Sequence, residues 1–108
     1  MRHTMVTYTV KPGSEEENAA LVRAVFEELV QTGPTGLRYA VFYLPHSRQF
    51  VHLYTDEGST SGLQALDSFK AFVAGAEDRH DQPATVTQPE LVGDYRTFNG
   101  PDGPASAD

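Results

Sequence analysis

The chain has 108 residues, 39% of them hydrophobic and none of them cysteine; this length makes one domain with a modest core, and the missing thiols exclude disulfides, thiolate metal sites and cysteine nucleophiles together. A formal net charge of −7 argues against a nucleic-acid partner, because phosphate binding needs a basic face. No apolar run approaches the roughly 20 residues of a membrane span, and the N-terminus lacks the apolar stretch of a signal peptide, so a cytoplasmic protein with no membrane contact is expected.

Met5 to Val10 alternates, with Val6, Tyr8 and Val10 on one face of a first strand. Pro12-Gly13 turns the chain. Ser14 followed by Glu17 predicts a capping box for a helix over Glu15–Gln31. In that helix Leu21/Val22, Val25/Phe26 and Leu29/Val30 recur every four residues as one apolar stripe, and Gly33-Pro34 ends it. Leu37–Leu44 is almost wholly apolar or aromatic, the pattern of a strand covered on both faces. With His46-Ser47 as a tight loop, Phe50–Thr55 forms its hairpin partner. Tyr43 then lies opposite Phe50, Val41 opposite His52 and Tyr39 opposite Tyr54. One hairpin face carries Leu37, Tyr39, Val41, Tyr43, Phe50, His52 and Tyr54; the other carries Arg38, Ala40, Phe42, Leu44, Val51 and Leu53.

Asp56 to Gly62 is polar and rich in Gly and Ser, as in a flexible loop. A second helix over Asp67–Asp78 follows, with Asp67 as N-cap and Leu66, Phe69, Phe72, Val73 and Ala76 as its stripe. Gly75 weakens that helix near its end, and Pro83 prevents its continuation. Thr85–Arg96 reads as a last strand, with Pro89 marking an edge or a bulge. Residues 99–108 offer nothing to bury and are expected to form a disordered tail after a domain over 1–98.

The order is therefore β-α-β-β-α-β, an α+β ferredoxin-like subunit: an antiparallel sheet with two helices on one face. The other face would leave an apolar patch of the kind monomers rarely expose. A homodimer with the sheets face to face would bury it.

In this order, with Tyr8-Thr-Val-Lys-Pro-Gly13, Leu21-Val-Arg-Ala-Val-Phe26, Gly36-Leu-Arg-Tyr-Ala40, Phe50-Val-His52 and Ser68-Phe-Lys-Ala-Phe72, the chain resembles the antibiotic biosynthesis monooxygenase family of the dimeric α/β-barrel superfamily. The resemblance spans residues 5–97. It implies oxidation by O2, without cofactor or metal, of a small aromatic or polyketide-type substrate such as a quinol or anthrone. The substrate's own carbanion or phenolate would reduce the oxygen. The chain departs from the family in having no Trp and no His between Leu53 and Arg79. Haem degraders of the superfamily use an Asn, a Trp and a histidine ligand on the second helix; here that helix position falls close to Val73, so haem is not the expected ligand.

Among titratable residues His52 stands out, mid-strand beside Tyr39, Tyr54 and Phe50. A neutral imidazole there can take a phenolic proton; it can equally be hydrogen-bonded across a dimer interface. His52, Tyr54 and Tyr39 are the candidate catalytic groups, the tyrosines as hydrogen-bond donors to an oxyanion or as packing residues with wet hydroxyls. Tyr8, Arg38, Phe42, Phe69 and Phe72 are the candidate substrate contacts; the phenylalanines also suit the core, and Arg38 also suits an ion pair with Glu27 or Glu28. His80 with Asp78 and Asp81 lacks a spaced second ligand set and reads as surface, so no metal site is expected. A non-catalytic ligand-binding or regulatory protein that keeps the fold is the alternative function.

Overall fold

The structure, a computed structural model, describes residues 2–56 and 62–95. The expected tail and the middle of the 56–62 loop lie outside the described residues. Strand β1 (Arg2–Thr9) leads into helix α1 (Glu15–Thr32), and the hairpin β2 (Leu37–Leu44) and β3 (Gln49–Asp56) follows. Helix α2 (Asp67–Ala74), a single further turn α3 (Ala76–Arg79) and the short strand β4 (Thr85–Thr87) complete the chain. The sheet has four strands in the order β2-β3-β1-β4, antiparallel throughout. This is the ferredoxin-like α+β fold.

The hairpin register is the one the alternation predicts: Tyr43 pairs with Phe50, Val41 with His52, and Tyr39 with Tyr54. Strand β1 extends the same rows, with Tyr8 opposite Phe50 and Val6 opposite His52. Directly opposed residues share a face. One face of the sheet thus gathers Val6, Tyr8, Tyr39, Val41, Phe50 and His52, and it packs against Val22 and Val25 of α1 and Leu66 and Phe72 around α2. The other face carries Ala40, Phe42, Leu44, Val51 and Leu53. Phe42 and Leu44 are each 40% exposed, so within one chain β2 is covered on one face and not on both.

Four local expectations are corrected. Ser14 sits at the N-cap of α1 but its side chain makes no capping bond; the Glu15 carboxylate instead accepts the Gly13 N–H at 2.9 Å. Asp67 is the first residue of α2 and Leu66 its cap. The predicted second helix breaks at Gly75, so that Arg79 ends a separate turn. The last strand is far shorter than Thr85–Arg96, because part of the β1 edge is taken by another segment. Asp81 donates its N–H to the Thr9 carbonyl (2.7 Å), Lys11 donates to the Arg79 carbonyl (2.8 Å), and Val10 bridges His80. Only Met5–Thr7 remain for β4, and Pro89 has no N–H to continue the ladder.

Helix α1 ends as its sequence directs. Gly33 adopts the left-handed conformation (φ 56°) and its N–H bonds the Leu29 carbonyl at 2.8 Å, a conformation that costs glycine little. The two long helices are tied by Glu28, whose carboxylate accepts the Ser68 backbone N–H at 2.9 Å and the Ser68 hydroxyl.

Candidate functional site

Between the sheet and the helices lies a chain of buried polar side chains. The Arg79 guanidinium, 3% exposed, donates through Nε to Asn18 Oδ1 at 2.9 Å and through Nη2 to the Phe72 carbonyl at 2.7 Å. Asn18, fully buried in the first turns of α1, donates through Nδ2 to the Tyr8 hydroxyl at 2.9 Å. That hydroxyl meets His52 Nε2 at 2.7 Å, and the Tyr39 hydroxyl meets His52 Nδ1 at 2.7 Å. Five side chains from β1, α1, β2, β3 and α3 thus form one continuous path. Buried polar groups are tolerated when each is bonded in this way.

Rings pack around the path. Phe26 stacks on Tyr39 (centroids 4.9 Å apart), His80 stacks on Tyr8 (4.1 Å), and Tyr54 meets Tyr39 edge-on. The Arg79 guanidinium lies 5.1 Å from the centre of the Phe72 ring, a cation–π contact. The glycine at the helix break makes room for it: a Cβ on Gly75 would come within 2.9 Å of Arg79 Nη1.

Burial sets the electrostatics. It holds the His52 imidazole well below its ordinary range, at about 4, with His80 acting in the same direction. It pushes the Tyr8 phenol up to about 12 against the opposing effects of Asn18 and Arg79. Burial, then the neighbouring Tyr8 and Tyr54, pushes Tyr39 up as well. At neutral pH the imidazole is uncharged and both phenols keep their protons.

Tyr39 has a second environment. With Phe26, Leu29, Gly33, Pro34 and Leu37 it lines a cleft of about 220 Å³ between the C-terminal end of α1 and β2. Every other side chain of that wall is apolar, so Tyr39 supplies its polar group. A cleft of this size and lining suits a small aromatic ring.

The structure brings together His52, Tyr39, Tyr54, Tyr8 and Phe72 of the sequence candidates. Phe69 lies beside Phe72, with ring centroids 6.1 Å apart. Arg38 and Phe42 are on the other side of the sheet, exposed, and touch neither the path nor the cleft. They are one residue out of phase with Tyr39 and Val41, and the pleat sends them away. His52 is inside the subunit rather than on the open face, and both of its ring nitrogens are engaged, so neither is open to take a proton directly from a substrate. Asn18 and Arg79 were not legible as functional residues. Their signal is spacing: Asn18 precedes Val22 and Val25 by four and seven, and Arg79 follows Phe72 by seven, so both lie on apolar stripes. His80, read as surface, is half-buried against Tyr8. Among the described residues no group of three or more His, Asp or Glu could hold a metal ion, and no helix is long and apolar enough to cross a membrane.

No family model matches the sequence, and no curated protein does. Solved structures match across most of the chain. Rv0793 from Mycobacterium tuberculosis superposes with a TM-score of 0.70 at 12% identity, covering 86% of this chain and 96% of that one. A crystal structure of an antibiotic biosynthesis monooxygenase superposes with a TM-score of 0.65 at 20% identity, covering 86% of this chain and 100% of that one. The chain has the antibiotic biosynthesis monooxygenase fold. PA3566 from Pseudomonas aeruginosa shares it, with a TM-score of 0.68 at 20% identity over 85% of this chain and 94% of that one. At these identities the likeness is one of fold. The antibiotic biosynthesis monooxygenase fold hosts this cleft and this polar path on particular residues, and chemistry must be argued from those residues.

Proposed function

We propose that this protein is a cofactor-independent monooxygenase of the antibiotic biosynthesis type, acting on a small aromatic quinol or anthrone in the cleft between α1 and β2. The observation that carries this reading is the double position of Tyr39, which is both a wall of an apolar cleft and the end of a buried hydrogen-bonded path. The substrate ring packs against Phe26, Leu29 and Leu37, and its oxygen lies at Tyr39. Tyr39 donates a hydrogen bond to the oxyanion as charge develops, in a site of low dielectric where such a bond counts most. The substrate's C–H proton leaves to solvent at the mouth of the cleft, beside exposed Gly33. The carbanion then adds to O2 and forms the C–O bond of a peroxide. The O–O bond breaks as the second methylene proton is lost. The balance is R2CH2 + O2 → R2C=O + H2O, with the substrate carbon oxidised and oxygen reduced. His52 acts by holding Tyr39 and not as the base.

The assembly we propose is a homodimer through the open sheet face, where Phe42, Leu44, Val51 and Leu53 would be covered. Oxygen uptake tests the activity. Purified protein stripped of metal is assayed against hydroquinones, naphthols and anthrones, with Tyr39→Phe beside it. Removing an oxyanion donor lowers kcat by about 100-fold or more, so uptake above autoxidation that falls by that order in Tyr39→Phe is expected. Uptake that Tyr39→Phe leaves unchanged removes Tyr39 from the reaction.

One observation favours the alternative of a non-catalytic ligand-binding protein: every nitrogen of His52 is already bonded within the chain. Saturable binding of these aromatics without uptake would select it.

A further inference from the structure

We infer that the buried path has a fixed direction, set at its far end by Arg79 and Asn18, which leaves Tyr39 as a hydrogen-bond donor to the cleft and selects ligands whose polar atom is an acceptor. The inference deepens the function proposed above and rests on that reading for the identity of the cleft as the ligand site.

The direction follows from what each group is able to do. A guanidinium only donates, so the Asn18 atom that meets Arg79 Nε is the carbonyl oxygen, and this fixes the orientation of the amide. The amide nitrogen then faces Tyr8, and it also only donates, so the Tyr8 oxygen accepts. Tyr8 is buried, and its single proton has one remaining acceptor on the path, His52 Nε2 at 2.7 Å. That nitrogen must be bare. A neutral imidazole carries its proton on the other nitrogen, so Nδ1–H donates to the Tyr39 oxygen. The Tyr39 proton is left over within the path, on a residue of the cleft wall. This assignment rests on the network and not on observed hydrogens. The reverse direction strands the Tyr8 proton among buried groups, which protein interiors avoid.

Arg79 and Asn18 are thereby positioning residues, joined to the cleft by three intervening hydrogen bonds. A ligand that brings a carbonyl or phenolate oxygen to Tyr39 completes the path. One that brings only an N–H or O–H does not.

Asn18→Asp reverses the logic with almost no change of shape. The new carboxylate still accepts from Arg79, but it also accepts, so Tyr8 turns its proton toward position 18. Tyr8 then accepts from His52 Nε2–H, and Tyr39 must donate to Nδ1 and offer the cleft only a lone pair. Imidazole nitrogen NMR on histidine-labelled protein reads this directly, with the His52 signals identified by their loss in His52→Gln. The expected result is the Nδ1–H tautomer in the wild type and the Nε2–H tautomer in Asn18→Asp. An Nε2–H tautomer in the wild type, or the same tautomer in both proteins, overturns the inference. Should Asn18→Asp fail to fold, Tyr8→Phe serves instead. It removes the proton that keeps Nε2 bare, and His52 is expected to lose its single tautomer; an unchanged pure Nδ1–H signal overturns the inference.

Two bicyclic probes of similar size read the cleft end. 1-Indanone offers only an acceptor and indole only a donor. One hydrogen bond is worth about tenfold in Kd, so the wild type is expected to bind 1-indanone about tenfold more tightly than indole. Asn18→Asp is expected to reverse the order. Equal affinities, or no binding of either probe, overturn the ligand class. The tautomer is read without ligand or turnover, so a correct tautomer with no oxygen uptake rejects the monooxygenase and keeps the directed path.

Discussion

On its helix-covered face the sheet carries Tyr8, Tyr39 and His52, joined by short hydrogen bonds and sealed from solvent, whereas on its other face the same strands carry Phe42, Leu44, Val51 and Leu53, apolar and partly exposed. The usual arrangement is inverted: the polar groups are inside and the greasy ones outside. A buried polar path is costly unless every member is bonded, so it is tolerated here as a unit. An exposed apolar face is an invitation to a partner. The first face is built for chemistry at a defined point and the second for assembly.

The largest effect is expected from cutting the polar path at its middle. Asn18→Leu keeps the size of the side chain but takes the Oδ1 acceptor from the buried Arg79 charge and the donor from Tyr8. Leaving a buried charge short of a partner costs about 3 kcal/mol. The urea midpoint should fall accordingly, and an unchanged midpoint would show that the path adds nothing to stability.

Titration sharpens the same contrast. His52 protonates at about 4 in the fold against 6.5 in an exposed chain, so the unfolded chain binds more protons between those values. The stability this contributes is present above about pH 6.5 and is lost as pH falls toward the folded value. Burial lowers His80 too, and its bonds to Ser68 lower Glu28, so all three act with the same sign. From about pH 7 to pH 5 the loss from His52 alone is roughly 2 kcal/mol. His52→Gln should flatten this slope in urea titrations run across that range; a slope that survives the substitution would assign it elsewhere.

The hairpin register was legible because it depends on local alternation: Tyr39, Val41 and Tyr43 on one strand and Phe50, His52 and Tyr54 on the other leave few ways to pair. The polar path was legible only in its strand half. Arg79 and Asn18 are 61 residues apart, each surrounded in sequence by acids that read as solvated helix ends, and nothing local says that they meet. Helical spacing placed Asn18 on the apolar stripe of Val22 and Val25, a polar residue at a core position, and that was the available signal. The last strand was read too long for a related reason. Its length is decided by competition from residues 79–81 for the edge of β1, which is tertiary information.

The smallest effect on the fold, and the one that separates the two faces, is expected on the open side. Phe42 and Leu44 are each 40% exposed, so Phe42→Ser with Leu44→Ser removes little apolar area that a single chain buries. At about 25 cal/mol per Å² of surface withdrawn from water, that costs the lone subunit about 1 kcal/mol or less. In a dimer joined through this face the same side chains become core, and their loss acts on association instead. Sedimentation should show the wild type as a dimer and the double variant as a monomer, with the His52 tautomer unchanged because the polar path lies on the far side of the sheet. A variant that sediments like the wild type would leave the open face without its proposed partner. A variant that becomes monomeric and also loses the tautomer would show that the two faces are coupled, and that the chemistry of one depends on the assembly of the other.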